Sequence, residues 1–97
     1  MRTIKNIREL KIGDRICVER TDNNGYIIGN GKFNIILGRV ITRTRDQYGH
    51  ILIEFDENIE GHDGGGLGRD GHCWCINGAY LKTYKISKIL KKKHNFY

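Results

Sequence analysis

The chain has 97 residues, 38% of them hydrophobic and 29% charged. That is enough for one domain with one modest core, and it excludes a catalytic domain joined to a separate recognition domain. The formal net charge of +6 is lopsided: residues 1–70 hold 11 Lys and Arg against 11 Asp and Glu, so the whole excess is Lys82, Lys85, Lys88, Lys91, Lys92 and Lys93. A basic end of this kind attracts phosphate backbones or acidic protein surfaces over about a Debye length, ~8–10 Å. The plainer reading is a solvated terminus that only aids solubility. No apolar run nears the roughly 20 residues needed to span a bilayer. The opening MRTIKNIREL lacks the apolar stretch of a secretion signal, so a cytosolic protein without a membrane partner is expected. Three cysteines, two of them only two apart, argue for thiols or metal ligands rather than a disulfide framework.

Along the chain, TIKNIREL (3–10) spaces Ile4, Ile7 and Leu10 for one or two helical turns behind a Thr3 cap. RICVER (15–20) alternates Ile16 and Val18 against Cys17 and Glu19, the period of a half-buried strand. Asn24-Gly25 and Asn30-Gly31 mark an irregular or hairpin-like loop. NIILGRVITRTRD (34–46) is a long strand with a bend or bulge at Gly38, and alternation along it places Arg39, Arg43 and Arg45 on one side. After a turn at Gln47-Tyr48-Gly49, HILIEFD (50–56) returns antiparallel, with Ile51, Ile53 and Phe55 on one face and Leu52 and Glu54 on the other. HCWCI (72–76) is a short strand, LKTYKI holds a helical turn and a last strand, and ISKILKKKH spaces Ile86, Ile89 and Leu90 as a weak amphipathic C-terminal helix.

The chemistry-bearing stretch is FDENIEGHDGGGLGRDGHCWC (55–75). Gly66-Leu67-Gly68-Arg69-Asp70-Gly71 matches G-x-G-x-x-G to the letter, but a dinucleotide turn opens a helix whereas HCWCI reads as strand. A tight glycine loop is the better account. His62, Asp63, His72, Cys73 and Cys75 supply imidazole, carboxylate and thiolate, the donors of a zinc site. Against that, C-x-C is not the C-x-x-C knuckle spacing, and strand alternation sets His72 and Trp74 opposite Cys73 and Cys75. The other reading makes the cysteines small buried hydrophobes while the histidines and acids hydrogen-bond the loop into shape. The same inventory serves a thiol nucleophile or a general base, but so short a chain has no room for a deep cleft, so a non-enzymatic protein is expected. Trp74 is a core anchor, or with Tyr80 and Tyr84 an aromatic binding face.

Short strands and long early loops predict a mainly β protein, a small, highly bent antiparallel barrel with a short N-terminal helix. IGDRICV, LGRVI, ILIEFDE and the CWC-to-AYL segment resemble in order the strands of SH3-like barrels. The GHDG-to-GHCW block resembles one found in small bacteriophage and prophage proteins. The resemblance implies one SH3-like domain over residues 1–97 with a basic tail from about residue 86, acting in the host bacterial cytoplasm as a phage accessory protein. It further implies an anti-CRISPR or other anti-defence inhibitor; no catalytic residues come with it. On this expectation the protein docks on a bacterial protein or protein–nucleic acid complex through Lys82, Lys85, Lys88, Lys91, Lys92, Lys93, Arg39, Arg43 and Arg45. The alternative is a DNA- or RNA-binding module with the same cations on phosphates and Tyr80, Tyr84 or Tyr97 on bases. A third is a zinc-stabilised protein. The acidic run Glu54, Asp56, Glu57, Glu60 and Asp63 makes the molecule dipolar, which favours docking on a complex over wrapping bare nucleic acid.

Overall fold

The computed structural model describes residues 1–43 and 49–90. Six strands form one antiparallel sheet: β1 (Arg2–Thr3), β2 (Arg15–Arg20), β3 (Ile35–Arg43), β4 (Ile51–Phe55), β5 (Cys73–Ile76) and β6 (Tyr84–Lys88), in the order β1-β6-β2-β3-β4-β5. Two 3-10 turns, η1 (Ile7–Glu9) and η2 (Gly78–Lys82), precede β2 and β6. No helix is long and apolar enough to cross a membrane among the described residues.

The period-two patterns place the core. Ile16, Val18, Ile36, Val40, Ile51, Ile53, Phe55, Ile76, Tyr84 and Ile86 are buried on one face of the sheet, closed over by Ile4, Ile7, Leu10, Ile28 and Ile59 from the connections. Register ties the set together, since Val18 faces Ile36 and Ile86, and Val40 faces Ile53. Gly38 is opposite Phe55, and a Cβ there would sit 3.0 Å from the Phe55 ring and 2.9 Å from Ile53 Cγ2. Only a hydrogen fits between those side chains.

Four local expectations change. The N-terminal turn is capped by Asn6, whose side chain accepts from Arg8 N while Glu9 accepts from Asn6 N; Thr3 lies in β1. Such a reciprocal cap satisfies donors that a β-strand Thr cannot reach. The register slip lies between Val40 and Thr42, not at Gly38. Because one extra residue reverses the alternation, Arg39 pairs with Glu54 on the outer face while Arg43 pairs with Ile51 on the core-face parity. The two arginines therefore do not share a side; Arg43 instead donates to the Arg8 and Leu10 carbonyls. Finally, Ile86 belongs to β6 and Ile89 N donates to Arg15 O, so the segment expected as a C-terminal helix begins as strand. Two-sided pairing of β6 with β1 and β2 outweighs a weak helical pattern. Arg45, Lys91, Lys92, Lys93, Tyr97 and the Gln47-Tyr48 turn lie outside the described residues.

Candidate functional site

The glycine stretch is a cover laid over the outer face of β4 and β5. Alternation puts Leu52, Glu54, Cys73 and Cys75 on that face, yet Leu52 and Cys73 are buried. What buries them is the loop: a Cβ on Gly64 would meet Leu52 at 2.7 Å, and one on Gly68 would meet Cys73 Sγ at 2.4 Å. Glycine is required at these close approaches, and Gly64 also takes a positive φ of 66°.

Polar groups pin the cover at several points. His62 and Cys73 exchange backbone hydrogen bonds, and Ile59 N and Gly61 N both donate to Gly71 O. Glu54 accepts from Arg69 N at 2.8 Å, and the Arg69 guanidinium reaches back to the Phe55 carbonyl. Asp63 accepts from Gly65 N and His62 Nδ1 accepts from Gly64 N, both at 2.9 Å. These side chains replace the ladder bonds that an irregular segment lacks.

Some of the expected metal donors serve the cover. A neutral His62 that accepts at Nδ1 carries its proton on Nε2, so it offers a cation no lone pair without giving up the Gly64 bond. His72 donates Nδ1 to the Phe55 carbonyl and keeps Nε2. Burial, followed by the charges of Glu54 and Asp63, pushes the Cys73 thiol up, away from the thiolate that binds metals and attacks carbonyls. Cys17, Cys73 and Cys75 form no disulfide. Among the described residues no three His, Cys, Asp or Glu side chains converge on a point where they could hold an ion. The G-x-G-x-x-G match ends in turns and then β5, not a helix.

A second feature adjoins the cover. His62 stacks on Trp74 with ring centroids 5.8 Å apart, Trp74 Nε1 donates to Tyr80 OH at 3.2 Å, and Tyr80 packs on Tyr26 at 5.3 Å. Four rings from the glycine loop, β5, η2 and the 21–34 loop thus form a continuous strip. Trp74 and Tyr80 are half-buried against the core, while Tyr26 is 60% exposed. Tyr84 is not part of it. At 4% exposure it is a core residue whose OH accepts from Ile28 N, whereas Tyr26 lies in the strip. In the sequence Tyr26 sits between two Asn-Gly turns in a short apolar patch with Ile27 and Ile28, and nothing there marks it as the exposed ring. Along the chain Asp22 lies four residues before Tyr26, and Glu60 and Asp63 lie within two residues of His62.

The described cations are divided. Lys85 faces Glu19 on the outer side of the sheet, Lys82 is exposed at the end of η2, and Lys88 reaches Asp14 at 3.1 Å. Arg15 is gripped by both carboxylate oxygens of Asp56. Of the acids expected at the mouth of the loop, Glu54 and Asp56 are therefore tied to Arg69 and Arg15. Comparison with protein-family models, with curated proteins and with solved structures finds no match to this chain.

Proposed function

We propose that this protein is a non-enzymatic binding module whose aromatic strip holds a segment of a partner protein. The carrying observation is the row Tyr26–Tyr80–Trp74–His62, with Tyr26 60% exposed at one end and His62 exposed at the other. Rings offer large contact area at low entropic cost and take cations over their faces, which favours a partner segment bearing Arg or Lys. A non-enzymatic role is supported by the raised Cys73 thiol and by the engaged Nδ1 of His62.

The finer fold proposed is an SH3-like barrel. Supporting it are the order β6-β2-β3-β4-β5, the long connection between β2 and β3, and a 3-10 turn directly before the last strand. Together with the phage-like GHDG-to-GHCW block, this supports a phage-encoded inhibitor that docks on a bacterial defence nucleoprotein, of anti-CRISPR type, in the host cytoplasm.

Trp74 is the sole tryptophan and lies in the strip, so its fluorescence reports occupancy. Titration with a synthetic peptide of alternating Pro and Arg is expected to give a saturable change, weakened about tenfold in Tyr26→Ala, as the loss of one aromatic contact implies. The competing reading, a module for bare nucleic acid, is favoured by the same exposed Tyr26 face, on which a base also stacks. Saturation by single-stranded DNA with no response to the peptide would replace the first reading with the second.

A further inference from the structure

At the start of β2 lies a cleft of about 410 Å³, lined by Asp14, Arg15, Arg39 and Lys88 with Ile89 and Leu90, and none of the four rings of the strip lines it. The cleft holds an uneconomical charge arrangement. Arg15 and Arg39 are direct cross-strand partners, so two guanidinium groups project side by side from adjacent strands. Like charges placed directly opposite destabilise a sheet.

The neighbouring acids relieve this only in part. Asp56 engages Arg15, Asp14 engages Lys88, and Glu54, opposite Arg39 on β4, is bound to Arg69; Arg39 feels the Asp56 charge but is in no ion pair among the described residues, and its Nη1 donates to the Gly13 carbonyl at 3.1 Å. Arg39 is exposed and Leu90 is 62% exposed, so the cleft is open to a ligand and one wall is apolar. A group that settles here needs negative charge for Arg39 and an uncharged portion for Ile89 and Leu90. A phosphodiester with its attached sugar has both.

We propose that this cleft is a phosphate site that takes one backbone phosphodiester of a nucleic-acid strand, with Arg39 as its principal ligand. The site extends the docking reading by naming what the basic end meets on a nucleoprotein target, and it is separate from the aromatic strip.

The test is fluorescence anisotropy of a labelled 12-nucleotide single-stranded DNA across a salt series, with the full chain, Arg39→Gln, Lys82→Gln and Tyr26→Ala. Arg39→Gln is expected to weaken binding several-fold and to lower the slope of log affinity against log salt by about 0.7, the value for one phosphate contact on a single strand. Lys82→Gln, on η2 at the other end of β6, is expected to leave the slope nearly unchanged. Arg39→Gln should also unfold at the same or a higher urea concentration than the parent. Equal effects of Arg39→Gln and Lys82→Gln on the slope, or none from either, overturn the site, as does an Arg39 dependence seen with inorganic phosphate but not with the oligonucleotide. A loss confined to Tyr26→Ala overturns it too, and would leave the strip as the nucleic-acid contact; failure of the peptide titration alone counts against the strip and not against the cleft.

Discussion

At the scale of single residues, glycine and tyrosine carry the sharpest consequences. A Cβ at Gly61 would lie 2.3 Å from the Cys73 carbonyl oxygen, a backbone atom that cannot turn aside, whereas nothing lies within 4 Å of one at Gly78. Gly61→Ala is therefore expected to cost about 1–3 kcal/mol, as overpacking does, and Gly78→Ala close to nothing; urea unfolding of the pair reads the difference. Tyr84→Phe keeps the ring but removes the acceptor of the buried Ile28 N–H, and about 1–3 kcal/mol should be lost for the orphaned donor. A loss indistinguishable from zero would mean that Ile28 N finds another partner. Because His62 accepts through Nδ1 and Cys73 is held as a thiol, a chelator is expected to leave the unfolding midpoint of reduced protein unchanged. A lower midpoint with chelator would restore the zinc reading.

At the scale of elements, the glycine cover and the β3 bulge decide what the sheet presents. The cover converts half of an outer sheet face into a second buried patch around Leu52 and Cys73, and burial of a leucine contributes about 1.5–3 kcal/mol. Its attachment to β4 runs through Glu54, which accepts from Arg69 N and lies 3.6 Å from Arg69 Nε. Glu54→Ala should free that end of the loop, so hydrogen exchange at the Arg69 amide is expected to quicken about tenfold or more, while amides of β2 and β6 keep their rates. Uniform quickening across the sheet would show that the cover and the core open as one unit. The bulge between Val40 and Thr42 turns Arg43 inward to cap the carbonyls of η1 and leaves Arg39 on the outer face between Arg15 and Glu54. A single extra residue thus sets the two arginines on opposite faces.

At the scale of the whole molecule, stability against acid follows from its ion pairs. Asp56 is held below the usual carboxylate range chiefly by the hydrogen bonds from Arg15, and the Asp56 partnership in turn raises Arg15. Burial would raise Asp14, but the Lys11 N–H and the Lys88 ammonium outweigh it and lower the group. Glu9 is lowered by the Lys5 and Asn6 backbone N–H groups. In each case the folded chain binds fewer protons than the unfolded one between the two pKa values. Their contribution is complete above about pH 4–4.5, the unfolded range, and is lost as the pH falls through the depressed folded values. The urea midpoint is accordingly expected to hold from pH 7 to about 5 and fall below about 4. Asp56→Asn should lower the midpoint at pH 7 and flatten the acid limb. An acid limb as steep as the parent's would remove Asp56 from this account.

The strands were legible because burial on one face imposes a period of two that a linear chain displays directly: Ile16 and Val18, then Ile51, Ile53 and Phe55, all lie where alternation put them. The rejection of the nucleotide turn was legible for the same reason, since Cys73–Ile76 follows it as strand. The surplus of positive charge in the last residues was likewise plain from composition. Tertiary structure alone decided which polar groups are taken up by the fold and which stay near the surface. Tyr84 and Tyr80 look alike in sequence, but one hydroxyl is taken up in the core and the other joins the half-buried aromatic strip. Arg39 and Arg43 differ by a bulge that no pattern announced, and His62 and Cys73 are drawn into the cover by partners many residues away. Alternation is a local rule that each strand obeys by itself, whereas the pairing of a side chain depends on which distant segment is folded against it.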